Sequence, residues 1–260
     1  MIMKIIFLNI WGGTMFEPLM KFIKESAPST DFFCFQEVFD SDKRVDLAPE
    51  FAGFRSDIFK DLKRGLAGFD GSLALTNVLN IGGIKVDVGL AIFSKKGIEI
   101  DSEGDLIVYV NDLEEKPLER IKNLQYFRFV HGGKKITLCN FHGAAYPWNK
   151  LDSDGRLGQS RQIAEFLTLE KGEKILGGDF NLMPQTESVK IIESAGMKDL
   201  IKSFNIASTR SDLNYEKYKS SKVQLHFADY VFTSPGIDVR SFEVPRLNIS
   251  DHLPLILQFD

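Results

Sequence analysis

The chain has 260 residues, 43% hydrophobic and 26% charged, which is the balance of a globular protein and excludes a disordered one. No run approaches the roughly 18 apolar residues that a membrane span needs. A net charge of −4 gives no overall attraction to polyanions, so nucleic acid would have to be drawn by a local basic groove alone.

Taken in chain order, Lys4 to Asn9 reads as a buried strand that ends at Asn9-Ile10-Trp11-Gly12-Gly13. The apolar start is too short for a secretory leader, and no small-residue cleavage site follows it. Phe16, Leu19, Met20 and Ile23 recur at helical spacing, with Pro28 as the stop. Phe32 to Phe35 is a second buried strand that runs straight into Gln36-Glu37. Asp40 to Asn80 carries Gly65, Gly68 and Gly71 among charges and reads as loops plus a hairpin; 60–85 could equally be a lid.

Val88 to Phe93, Ile98 to Ile100 and Leu106 to Val110 read as successive strands, followed by a charged loop at 111–120. Leu124 to Val130 and Lys135 to Asn140 flank a hairpin turn at His131-Gly132-Gly133-Lys134. Arg156 to Leu169 is an amphipathic helix, Lys174 to Leu176 a strand and Thr186 to Ala195 a helix. Strands at Ala228 to Phe232, Val239 to Val244 and Pro254 to Phe259 close the chain. Many strands with few helices, partly alternating, predict an α/β fold of two packed sheets with helices outside. No repeat or linker divides it, so 1–260 is expected to be one domain. Phe supplies 22 residues, often in short extended runs, which suits a thick core between sheets. Cys34 and Cys139 lie in apolar strand-like runs and read as buried free thiols, which suggests the cytoplasm.

Gly177-Gly178-Asp179-Phe180-Asn181 follows the apolar run Lys174-Ile175-Leu176. A strand that ends in two glycines and then presents a carboxylate and an amide two residues apart suits a grip on a water or an oxyanion. A plain β-turn would use the same residues. Other strand ends carry Asn9, Glu37, Asn140-Phe141-His142 and Ser250-Asp251-His252, and two of the four histidines are among them. Each group alone has an ordinary structural explanation. Together they look like a phosphate-cleaving metal site.

The order Asn, Gln-Glu, Asn-x-His, Gly-Asp-Phe-Asn, Asp-Tyr and Ser-Asp-His resembles the endonuclease/exonuclease/phosphatase superfamily, the DNase I-like fold, over essentially the whole chain. Gly89-Leu90-Ala91-Ile92-Phe93-Ser94 and Arg156-Leu157-Gly158-Gln159-Ser160-Arg161-Gln162 support the resemblance. It implies a four-layer α/β sandwich and a divalent-metal-dependent phosphoester hydrolase; a monomer is the expectation, although the sequence does not name the oligomeric state. Glu37 would be the principal carboxylate on Mg²⁺ or Mn²⁺, completed by Asn9 and Asp251; these are hard oxygen donors. Asp179 would position and deprotonate the attacking water, and Asn181 would hold it or a phosphate oxygen. His252, oriented and kept protonated by Asp229, would donate to the pentacovalent phosphorane, with His142 as a second donor. The best-placed carboxylate for His142 is Asp87, although Asp87 beside Lys85 can also be simply solvated.

The substrate is less legible. Trp11 stands where apurinic-site endonucleases usually carry an acid, and Phe227-Ala228-Asp229-Tyr230 departs from the inositol-polyphosphate 5-phosphatase motif. Asn9-Ile10-Trp11-Gly12 is similar to the first motif of neutral sphingomyelinases. Tyr146 and Trp148 follow His142 and could stack on a base or take an apolar group, or pin a loop. Lys150, Arg156 and Arg161, and again Arg210, Lys217, Lys219 and Lys222, are interleaved with Asp152, Asp154, Asp212 and Glu216 and make no clean basic groove. A phosphodiesterase or phosphatase on a small or single-stranded substrate, a duplex nuclease, a lipid phosphodiesterase and a non-catalytic binding member all remain open. The intact set of catalytic candidates weighs against the last.

Overall fold

The computed structural model describes residues 2–47, 52–111, 120–217 and 226–260, and the side chains of 215–217 fall outside the description. Most of the predicted 111–120 loop, together with Lys219, Lys222 and the side chains of Glu216 and Lys217, therefore lies outside the described residues.

Strand β1 (Met3–Asn9) leads through a short turn at Trp11–Gly13 into α1 (Phe16–Ser26) and β2 (Phe32–Ser41). Helix α2 (Ile58–Gly65) and the hairpin of β3 (Phe69–Ile81) and β4 (Ile84–Lys95) follow. Next come β5 (Ile100–Val110), β6 (Ile121–His131), β7 (Lys134–His142), α3 (Asp154–Leu169) and β8 (Glu173–Asp179). The chain continues through α4 (Glu187–Ser194), β9 (Lys198–Asp199), α5 (Leu200–Ser203) and α6 (Asp212–Lys217). It closes with β10 (Asp229–Thr233), β11 (Val239–Glu243) and β12 (Leu255–Phe259).

Two six-stranded sheets result, ordered β11-β12-β1-β2-β4-β3 and β5-β6-β7-β8-β10-β9. Each contains one parallel pair, β1 with β2 and β7 with β8, and the other described pairings are antiparallel. Parallel neighbours need a crossover, and α1 and α3 provide it. The crossover brings both strands of a pair to the same edge. Asn9 therefore lies beside Gln36, and His142 beside Asp179.

The sheets pack face to face through Phe7, Phe32, Cys34 and Ile92 on one side and Leu124, Leu138, Leu176 and Val231 on the other. The alternate residues Ile6, Leu8, Phe33 and Phe35 face outward under α1 and α2, which contribute Leu19, Ile23, Ile58 and Leu62. Near the site the core turns polar: Gln36 Nε2 donates to Asn140 Oδ1 at 2.6 Å, and Asn140 Nδ2 donates to the Phe35 carbonyl at 3.1 Å. This buried amide seam ties the sheets together beneath their shared edge.

The segment from 40 to 80 departs from the sequence expectation. The second strand continues to Ser41, α2 is present, and β3 pairs with β4 along its length as an edge hairpin. Helix α2 escapes a periodicity reading because Asp61, on its buried side, is held by Arg44, Arg55 and Arg64. Strand β3 escapes it because an edge strand needs only a weak apolar alternation. The two strands expected at 98–100 and 106–110 are instead one, β5, which begins at Ile100 and whose pairing with β6 shifts at two bulges. Among the described residues no helix is long and apolar enough to cross a membrane.

Candidate active site

The site lies where the C-terminal ends of both parallel pairs meet. Asn9, the last residue of β1, is fully buried and bridges the sheets: its Nδ2 donates to Glu37 Oε1 at 3.0 Å and to Asp179 Oδ2 at 3.1 Å. Its Oδ1 accepts from the Trp11 amide at 3.0 Å, so the Trp11-Gly12 turn serves to hold Asn9. Glu37 reaches the site by a bulge. The β2–β4 register shifts between Phe35 and Val38, and Glu37 takes a φ of 57°. A regular strand would send Glu37 the way of Phe33 and Phe35, under the helices. Four of the five described non-glycine residues with positive φ, namely Trp11, Glu37, Lys150 and Asn181, surround this point. Backbone strain of this kind is held in place by the contacts around it.

The second sheet supplies Asp179 at the end of β8. The two glycines before it are required by close packing. A Cβ on Gly177 would stand 2.7 Å from the Phe7 ring, and Gly178 has a φ of +133° with the Phe141 carbonyl 2.1 Å from where its Cβ would be. Asp179 Oδ1 accepts from the Asn181 amide at 2.9 Å. Its Oδ2 lies 3.5 Å from His252 Nε2 and 3.7 Å from His142 Nε2. The side chain of Asn181 is engaged at both ends, accepting from Lys150 Nζ at 3.0 Å and donating to the Gly143 carbonyl at 3.2 Å.

His252 is buried just ahead of β12, with its Nδ1 2.8 Å from Asp229 Oδ1 at the start of β10. Its ring nitrogens also touch the Arg210 guanidinium, which donates to Asp251 Oδ2 at 2.9 Å and to Asn214 Oδ1 at 2.7 Å. Ser250 Oγ donates to the Asn9 carbonyl at 2.7 Å and thereby docks the Ser-Asp-His segment onto β1.

The electrostatics separate these groups. Burial and the neighbouring Asp251 raise the proton affinity of Glu37, and the Asn9 hydrogen bond only partly offsets them. Burial would raise Asp179 as well, but His252, Lys150, His142 and Arg210 outweigh it and hold its carboxyl well below the usual range. Burial and Arg210 oppose the imidazolium of His252, yet Asp229, Asp179 and Asp251 prevail and its pKa rises. Burial and Lys122 push His142 down to about 3, which makes it a neutral imidazole.

Ten of the eleven residues singled out in the sequence stand at this point or on the loop that leads from it: Asn9, Glu37, His142, Asp179, Asn181, Asp229, Asp251 and His252 within it, and, with Tyr146, Trp148 on the loop that follows β7. Tyr146 shares that loop, and the two rings meet edge to face at 6.2 Å, with 41% and 61% of Tyr146 and Trp148 exposed. Asp87 is the exception. It lies within β4, opposite Asp40, with its carboxylate 2.8 Å from Lys85 Nζ, and it makes no contact with His142 among the described residues. A carboxylate two residues from a lysine on one strand face is drawn to that lysine first.

Sequence reasoning left Lys150, Arg156 and Arg210 in a mixed surface, and all three are buried. Arg156 donates to the carbonyls of Ala144, Ala145, Pro147 and Leu151 and to Asn149 Oδ1, and so clamps the loop from 144 to 151. Its position on a helix directly after that loop was the available signal. Asp179, Asp229 and His252 each offer a ligand atom within 4.8 Å of the others, a spacing that could hold a metal ion. Glu37 and Asp251 are a second pair of acids close enough to influence each other.

The same fold recurs in solved proteins, although no curated protein matches the chain by sequence. An endonuclease/exonuclease/phosphatase from Bacteroides vulgatus is 17% identical with a TM-score of 0.69, over 100% of this chain and 99% of that one. Bacteroides thetaiotaomicron mannosyl-6-phosphatase is also 17% identical, with a TM-score of 0.68 over 99% of both chains. The catalytic domain of human Nocturnin, with bound sulfate, is 18% identical with a TM-score of 0.65, over 100% of this chain and 94% of that one. At such identities the likeness establishes the fold. The sequence pattern of the Endonuclease/Exonuclease/phosphatase family, however, matches residues 6–252, from β1 through His252. Strand ends, buried triad and whole-length match agree, and the chain belongs to the endonuclease/exonuclease/phosphatase family.

Proposed function

We propose that this chain, as one monomeric domain, hydrolyses a small phosphoester with the help of Mg²⁺ or Mn²⁺. The observation that carries this reading is Asp179 Oδ2, set between His252 Nε2 at 3.5 Å, His142 Nε2 at 3.7 Å and Asn9 Nδ2 at 3.1 Å. A carboxylate ringed by donors is arranged to orient a water, with the imidazoles beside it to meet developing phosphoryl charge.

The donor chemistry around Glu37 fits a hard cation. No lysine or arginine pairs with Glu37 among the described residues, and His142, 4.0 Å away, is held neutral. Asp251 beside it adds a second carboxylate. Glu37 would be the main ligand, with Asp251 and the free lone pair of Asn9 Oδ1 completing or supporting the shell. The Asp179–Asp229–His252 grouping suits such an ion less well, because His252 and Asp229 already satisfy each other. A bound cation would neutralise phosphoryl charge and acidify a water.

The protein groups then divide the work. Asp179 stays ionised, orients the water and takes up its proton as the nucleophile forms. Asn181, fixed by Lys150 and Gly143, keeps that corner rigid. His252, whose protonated form is favoured by Asp229, Asp179 and Asp251, donates from Nε2 to a phosphoryl oxygen. His142, a neutral imidazole, donates a hydrogen bond to the phosphate or leaving group without adding charge.

A small substrate suits this surface better than duplex DNA. Arg156 and Arg210, two basic residues at the site, are consumed by internal contacts, and Lys150 is buried. The mannosyl-6-phosphatase of the same fold gives a sugar phosphate as a reasonable first substrate. The two buried free thiols suit a reducing cytoplasm. The test is a panel of sugar phosphates, nucleotides, phospholipids and nucleic acids with Mg²⁺, Mn²⁺ or chelator. We expect cation-dependent turnover of a small phosphoester. Silence across the whole panel would remove the hydrolase reading, and salt-sensitive cutting of duplex DNA would replace the substrate class.

A further inference from the structure

Lys150 places a buried ammonium group beside Asn181, and its surroundings are unusual for a lysine. It sits on the loop after β7 with 9% of its surface exposed. Its backbone has a φ of 56°, and its carbonyl accepts from the Met183 amide at 2.8 Å, which pins the residue against the segment that follows Asn181. Arg156 holds the residues on either side, through Asn149 Oδ1 and the Leu151 carbonyl. The side chain is thus delivered into the site by a braced loop.

An ammonium group has three donors. Among the described residues Nζ of Lys150 uses one of them, toward Asn181 Oδ1 at 3.0 Å. Among the described residues no carboxylate lies within ion-pair distance of it, although Asp179, Asp229 and Asp251 are close enough to support its charge. A buried lysine with spare donors is costly unless an anion completes it. Asn181 ties that position to the water-orienting corner next to Asp179.

We propose that Lys150 binds the substrate phosphate, placing its ammonium on a non-bridging oxygen while it holds Asn181 in position. This rests on the hydrolase reading for its substrate, but it can be tested without turnover. Lys150 would add its charge to that of the donors around Asp179. Burial together with Arg210 lowers the Lys150 pKa to about 8, still leaving most of it charged at neutral pH.

The experiment is calorimetric titration of inorganic phosphate into the full chain with saturating Mg²⁺, comparing wild type with Lys150→Met and Lys150→Arg. Loss of a charged hydrogen bond predicts phosphate binding weaker by about tenfold or more in Lys150→Met, with Lys150→Arg within about threefold of wild type. The Mg²⁺ titration should coincide in all three proteins, and a melting curve of each reports whether the loop still folds. Phosphate affinity in a folded Lys150→Met equal to wild type would overturn the assignment. Equal losses in both variants would reduce Lys150 to packing, and no binding by wild type would remove the anion site. Phosphate binding without turnover on any substrate would instead count against the hydrolase reading and leave Lys150 standing.

Discussion

Glu37 and Asp179 accept hydrogen bonds from the same Asn9 amide, at 3.0 and 3.1 Å, yet their proton affinities move in opposite directions. Glu37 comes from the first sheet, where its close charged neighbour is another carboxylate, Asp251. Asp179 comes from the second, where His252, Lys150, His142 and Arg210 surround it. One carboxylate has several counter-charges within the protein, and the other has only the weaker influence of His252. Paired acids pushed apart by their surroundings take different roles. Here the self-compensated acid is suited to handling a water, and the uncompensated one is suited to an external cation.

The comparison is broken most severely at Asp179. Asp179→Asn should lower kcat/KM by about a thousandfold, or ~4 kcal/mol, on whichever phosphoester the panel yields. Retention of a substantial share of wild-type turnover would return the water to another group. Arg156→Met comes next, because it strands several buried carbonyls and loosens the loop that brings Lys150 toward Asp179. A loss of about 2–3 kcal/mol in denaturant unfolding is expected, and a loss near zero would show that the loop supports itself.

Glu37→Gln should weaken Mn²⁺ binding by about tenfold or more, and Asp179→Asn should weaken it less. The reverse order, read by metal titration, would exchange the two roles. The pH profile sharpens the second-sheet half. His252 has a raised pKa, so its protonated form persists to higher pH than that of an ordinary histidine and is lost on the alkaline side. Removing the Asp229 carboxylate lowers that pKa, so Asp229→Asn should move the alkaline limb toward acid by about one pH unit. An unmoved limb would mean that another group sets it. The smallest effect belongs to Asp87→Asn: with its carboxylate on Lys85, it should give a pH–rate profile that overlays wild type.

The candidate site was largely legible because its chemistry sits at strand ends. A buried strand announces itself by its apolar run, and the first polar residues beyond Ile5–Leu8, Phe32–Phe35 and Ile175–Leu176 stand out by contrast. The basic residues were not legible, since sequence alone cannot tell a solvated arginine from Arg156, which lies with 1% of its surface exposed among carbonyls. Helix α2 was missed for a related reason: its Asp61 breaks the apolar stripe and is neutralised by arginines from elsewhere in the chain. Asp87 failed in the opposite sense, because proximity in sequence to a family-like strand said nothing about which way its side chain would pair.

By itself, the sequence determined the strand-rich layered class, the family and the order of the polar strand ends, because apolar periodicity and short motifs are local properties. The tertiary structure decided the rest. It brought Asn9 to Asp179 across 170 positions of sequence, turned Glu37 out of the apolar layer through a bulge, and placed Lys150 in the site by way of the Arg156 clamp. Those outcomes depend on register, burial and charge neighbours, which arise only when the two sheets close on each other.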